Sequence, residues 1–146
     1  MEVIATNRQA RFKYELLDRY EAGLVLKGSE VKSLRNRDAN LSDSFAQMKG
    51  EEVYIYGLHI GPYQQAGMEN HEPKRPRKLL LHKEEINKII GKVQQKGYTL
   101  VPVSLYFKNG FAKVELALAK GKRLADKREV IRKRVVEREI QRAMKR

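Results

Sequence analysis

The chain has 146 residues, 31 Lys+Arg against 18 Asp+Glu for a formal charge of +13, and no cysteine. That is long enough for one domain with a core of its own, and it excludes a disulfide framework and a thiolate metal site. No stretch reaches the roughly 18 consecutive apolar residues of a membrane span, and MEVIATNRQARFKYE lacks an apolar run of signal-peptide length, so a cytoplasmic protein is expected.

The positive charge is unevenly spread. From Lys120 onward there are 12 Lys+Arg and 4 Asp+Glu, which puts +8 of the excess in the last 27 positions. Such asymmetry predicts a polyanionic partner. A basic helix on a membrane surface is the rival reading. The tail lacks Trp and Phe and has a single leucine, Leu124, to sink into lipid, so nucleic acid is favoured.

In chain order, residues 1–9 show no periodicity and are expected to form a flexible arm, with Arg8 and nearby Arg11 available to phosphates. Residues 12–17 are apolar-rich. YEAGLVL, from Tyr20 to Leu26, predicts a strand in which Gly23 marks a bulge or a close backbone approach. Glu21 is unusual in so basic a chain. A surface carboxylate accounts for it, and so does a carboxylate that accepts from a base amino group or holds a basic side chain in position.

Ser29 predicts an N-cap for a short helix over EVKSLR, with Val31 and Leu34 on one face. Residues 45–49 and 53–60 then predict a meander of antiparallel strands joined at Gly50 and ended by Gly61-Pro62. Residues 64–76 form a long irregular segment closing in KRPRK, a second basic cluster. Either a solvated charge run or a contact with nucleic acid explains it, and Arg77 and Lys78 are the candidates there. Lys83 to Lys96 predicts the clearest helix: Ile86, Ile89, Ile90 and Val93 make an apolar stripe, Glu84 and Glu85 suit the first turn, and Gly97 suits the C′ position.

The strongest local signal is Asn109-Gly110, a type I′ hairpin turn. Counting outward pairs Lys108 with Phe111, Phe107 with Ala112, Leu105 with Val114, Val103 with Leu116 and Val101 with Leu118, which makes the apolar face core. The opposite face carries Tyr106 across from Lys113 and Ser104 across from Glu115. A tyrosine beside a lysine suits stacking on a base and pairing with a phosphate. About six mostly antiparallel strands with peripheral helices predict a mainly β fold, a partly closed barrel of the OB type.

Residues 126–146 carry a capping signal, Asp126 with Glu129, but only a narrow apolar stripe, and helices of this size are marginal alone. The basic tail is therefore expected to be disordered when free and helical against a nucleic acid. The expected division is residues 1–122 as the RNA-binding domain and 123–146 as the tail.

No catalytic pattern emerges. His59, His71 and His82 share no metal-ligand spacing, and there is no phosphate loop or nucleophile elbow. Asp38, Asp43, Glu51 and Glu52 could hold magnesium in a barrel nuclease, though turn-forming acids explain them more simply. No cofactor is expected.

Five stretches, NRQARFKY, YEAGLVLKGSEVKSLR, KRPRKLLLHKEEI, GYTLVPVSLYFKNG and KVELALAKGKR followed by DKRE, together resemble in order and spacing the small protein B family, the bacterial SsrA-binding proteins. The resemblance implies an OB-fold barrel that binds the tRNA-like domain of transfer-messenger RNA (tmRNA). It would deliver that RNA, alanylated and with a GTP-bound elongation factor, to ribosomes stalled without a stop codon. It also implies RNA-binding roles for Tyr14, Glu21, Leu80 and Lys113, with Asn7, Arg8 and Arg11 in the matching amino-terminal motif, and a monomer in the RNA complex. The tail, with Lys120, Lys122, Arg123, Asp126, Lys127, Arg128, Arg132, Lys133 and Arg134, would enter the decoding centre and empty mRNA channel of the small ribosomal subunit. Ala125 departs from the family, in which many members carry a ring suited to stacking on rRNA.

Overall fold

The computed structural model describes residues 2–121; the expectations on residues 122–146 lie outside the described residues. The chain runs β1 (Glu2–Thr6), α1 (Arg8–Lys13), β2 (Tyr14–Leu24), α2 (Gly28–Arg35), β3 (Ala39–Asn40), β4 (Phe45–Lys49), β5 (Glu52–Tyr56) and β6 (His59–Ile60). A 3-10 segment (Gln64–Glu69), β7 (Arg77–Leu80), α3 (Lys83–Lys96), β8 (Thr99–Lys108) and β9 (Phe111–Gly121) follow. Strand order in the main sheet is β1-β8-β4-β5-β7-β2-β9, and β9 also pairs with β8, so the antiparallel sheet closes on itself as an OB-type barrel.

The hairpin turn forms as the sequence predicts, with positive φ at both Asn109 and Gly110. The register holds through Lys108↔Phe111, Phe107↔Ala112, Tyr106↔Lys113, Leu105↔Val114 and Ser104↔Glu115, then shifts: Pro102, not Val103, faces Leu116, and Leu100, not Val101, faces Leu118. Val103 is the extra residue of a bulge. Its carbonyl accepts from the Asn7 backbone N–H at 2.8 Å, and the Pro102 carbonyl accepts from Asn7 Nδ2 at 3.0 Å. Proline brings no N–H to the ladder, so a bulge suits this position. The shift turns Val101 outward, where it packs with Ala10, Ala119, Tyr14 and Leu16 beneath α1.

Residues 2–6 form a strand rather than an unpatterned arm. β1 pairs with the second half of β8, on the edge whose first half meets β4 through Ala46↔Leu100. The barrel interior is filled by alternate residues of the strands, among them Ala22, Val53, Ile55, Leu79, Leu105, Val114, Leu116 and Leu118. Leu34 of α2 and Ile89 of α3 join this core. α3 matches its predicted bounds, with Gly97 in the left-handed conformation donating its N–H to the Val93 carbonyl.

The start of α2 differs from the prediction. The helix begins at Gly28, and the Glu30 carboxylate accepts from the Lys27 N–H at 2.8 Å. Ser29 Oγ instead bonds His71 Nδ1 at 2.8 Å, tying α2 to the segment before β7.

Candidate nucleic-acid interface

Alternation along β2, β8 and β9 sorts the candidate residues. Leu80 faces Gly23, Gly23 faces Lys113, Lys113 faces Tyr106 and Tyr106 faces Val3, a transverse row across five strands on the outer surface. The adjacent row runs Glu21, Glu115, Ser104 and Thr6. Three residues far apart in sequence, Glu21, Leu80 and Lys113, thus share one face. Leu80 lies over Gly23, where a Cβ would sit in ordinary contact 3.4 Å from that of Leu80, and its own side chain is exposed.

Glu21 anchors a polar network. Its Oε2 accepts from Tyr106 Oη at 2.6 Å and from Lys108 Nζ at 3.3 Å. The hydrogen bond from Tyr106, with Lys108 and Lys113 adding attraction, holds the Glu21 carboxyl below the usual carboxylate range. Beside it Glu115 accepts from Arg19 Nη1 at 2.6 Å and from Ser104 Oγ at 3.3 Å. Lys108 and Arg19 are cations on this face that pattern reading left out. The signal was present for Lys108, because the alternation that turns Tyr106 outward turns Lys108 outward as well.

Several candidates have other roles. Tyr106 lies alongside β1 and is only 4% exposed, so its ring does not offer a stacking surface; burial and the bond to Glu21 push its hydroxyl pKa well above the ordinary value. Arg77 is fully buried, which corrects its placement among RNA contacts. Its Nε donates to Glu30, Nη1 to the Leu58 carbonyl at 2.7 Å and Nη2 to the Pro73 carbonyl at 3.0 Å. Asn7 is likewise buried, holding the β8 bulge.

The remaining candidates are better placed for contact. Lys78 is half-exposed and pairs with Glu52 at 3.0 Å. Arg8 is exposed on α1, which also contains Arg11. Tyr14 is partly exposed where α1 meets β2, and Lys120 is partly exposed at the same end of the β2–β9 ladder, facing Glu15.

The KRPRK cluster is therefore partly structural. Glu30 Oε1 accepts from the Lys27 N–H and from Arg75 Nη2 at 2.6 Å, while Oε2 accepts from Arg75 Nε at 3.1 Å and from Arg77 Nε. Two bonds to each oxygen satisfy the carboxylate. Burial alone would raise the Glu30 pKa, but these donors outweigh it and hold it low. Among the described residues no group of three or more His, Asp or Glu comes together to hold a metal.

A partly closed OB-type barrel that gathers lysines, a carboxylate network and an exposed leucine on one outer face is an architecture suited to a nucleic-acid-binding protein. A family model described as SmpB protein matches residues 4–146. An SsrA-binding protein of Carboxydothermus hydrogenoformans is 54% identical over 144 residues, covering 99% of this chain and 97% of its own. One from Geobacillus thermodenitrificans is 55% identical over 144 residues, covering 99% and 93%. A solved chain from "tmRNA-SmpB: a journey to the center of the bacterial ribosome" superposes with a TM-score of 0.69 at 50% identity, covering 87% of this chain and 93% of that one. The protein belongs to the SmpB family of SsrA-binding proteins.

Proposed function

We propose that this protein binds the tRNA-like domain of tmRNA and takes it to stalled bacterial ribosomes for trans-translation. The observation that carries the reading is the assembly of Glu21, Leu80 and Lys113 on one outer face. Structured RNA is recognised by shape through phosphate, 2′-OH and stacking contacts rather than by groove readout. Lys113 supplies a phosphate partner, Leu80 an apolar contact for a base or ribose, and Glu21 fixes Lys108 while keeping a carboxylate oxygen for an amino or hydroxyl donor.

Arg8, Arg11, Tyr14 and Lys78 extend the contact, and the protein acts by binding, as a monomer in the RNA complex, in the cytoplasm. Residues 1–122 form the RNA-binding unit. The basic residues of 123–146, together with Lys120 and Lys122, engage small-subunit rRNA in the decoding centre and the empty mRNA channel, while the GTP-bound elongation factor accompanies the alanylated RNA.

Sequencing the RNA that co-purifies with the protein from cells tests this reading. Strong enrichment of tmRNA over bulk tRNA is expected. Recovery of tRNA and rRNA in their cellular proportions would overturn it and leave a general RNA-binding module.

A further inference from the structure

We infer that the cleft between α1, β4 and the start of β8 is a seat for Leu124 of the chain's own tail, and that this contact fixes the point where the basic segment leaves the barrel. The contact depends on the barrel alone; only its consequence rests on the ribosome-binding reading of the tail above. The cleft has a volume of about 340 Å³ and lies at the seam of the barrel, where β4 and β8 meet through the pair Ala46↔Leu100. Ala119 pairs with Thr99 and Gly121 pairs with Tyr14, and both partners line the cleft. β9 therefore delivers the tail at its mouth.

The open part of the wall is apolar. Phe45 stacks on Tyr56, with ring centroids 5.4 Å apart, yet remains 42% exposed, and Tyr14 is partly exposed. Covering such rings with an apolar side chain is favourable. Three residues of extended chain beyond Gly121 span about 10 Å, which brings Leu124 within reach of them. A tethered group acts at its highest effective concentration when the tether matches the span. Leu124 is the only leucine of the tail, and the next large apolar residue, Val130, lies six positions further on.

The rim fits the flanking residue. Asp43 is the one carboxylate among the described residues that line the cleft; its side chain is exposed, with Lys13 Nζ 3.8 Å away. Arg123, next to Leu124, brings a guanidinium to that carboxylate. A nucleotide would find the same ring, but Asp43 offsets the charge of Lys13 that would draw its phosphate. A seated Leu124 stiffens the joint between barrel and tail. The basic run from Lys127 then starts from one place, and less freedom is lost when it enters the ribosome.

The test is nuclear magnetic resonance on the full-length protein free of RNA, with tagging of stalled chains measured alongside in a reconstituted translation system. Leu124 methyl protons should contact the ring protons of Phe45 and Tyr14. Leu124→Ser should abolish those contacts and shift the backbone amides of Ala10, Phe45 and Thr99. Leu124→Met should restore them, and Val130→Ser should leave them in place. Leu124→Ser should bind the tRNA-like-domain RNA as the parent does and tag several-fold more slowly. Missing contacts, with the cleft amides unmoved by Leu124→Ser, would overturn the seat. Contacts from Val130, or from a second, differently labelled copy, in place of Leu124 would do the same. RNA protons against Phe45 in the complex, or tagging unchanged in Leu124→Ser, would overturn the joint. A parent protein that does not bind the RNA would remove the functional reading and leave the seat, measured on the free protein, standing.

Discussion

The Tyr106 hydroxyl donates to Glu21 Oε2 at 2.6 Å, joining β8 to β2 over the intervening strand β9. The bond brings a buried ring and a surface carboxylate into one unit, and Lys108 completes it. A tyrosine that pattern places on an open face for stacking thus acts as a brace beneath the proposed RNA surface.

Tyr106→Phe should therefore move the Glu21 carboxyl back toward its ordinary titration point, followed by carboxyl chemical shift against pH. The sign follows from the depressed folded-state value: Glu21 contributes stability above its unfolded pKa and loses it as pH falls through the folded one. The variant should be less stable by about 1 kcal/mol at pH 7, a modest figure because the carboxylate is partly exposed, and the gap should close in acid. A gap that stayed constant down to pH 2 would show that the bond does not set the Glu21 titration.

Arg77→Ala should cost about 3–5 kcal/mol in denaturant unfolding, since it leaves the Glu30 carboxylate buried without one of its partners. Replacing both residues by apolar ones of similar volume should cost less than the single change. Because Glu30 is held low, its stabilising contribution is present at neutral pH, persists down into the ordinary glutamate range and is lost only as pH falls through the lower folded-state value. An Arg77→Ala protein as stable as the parent would refute the buried-pair assignment.

These two cases show where sequence reading stops. Asn109-Gly110 dictates its own turn, so five pairs of the hairpin and the facing of Lys113 follow from local rules. The bulge at Val103 does not, because the residue that holds it, Asn7, lies 95 positions from Pro102. Arg77 reads as surface charge within KRPRK, because the carboxylate that permits its burial, Glu30, is 47 positions away on another element. Residues 2–6 show no pattern of their own and become a strand only because half of one β8 edge is open to receive them. The lone glutamate was legible as a holder of basic side chains, whereas the partner hydroxyl of Tyr106 was not.

Ending the chain after Gly121 removes residues 122–146 and keeps every strand found among the described residues. The shortened protein should bind the tRNA-like domain within a few-fold of the full chain yet fail to support tagging of stalled nascent chains in a reconstituted translation system. Equal loss of both would contradict the division of labour between barrel and tail.

The most direct measurement of the central claim is competition. Labelled tRNA-like-domain RNA is bound at physiological salt in the presence of a large excess of bulk tRNA, with Lys113→Ala alongside the parent protein. The parent should retain its RNA, and loss of one charge-assisted contact should weaken binding by about 1–3 kcal/mol with a shallower salt dependence. Displacement of the RNA by bulk tRNA in proportion to its concentration, with Lys113→Ala indistinguishable from the parent, would contradict it.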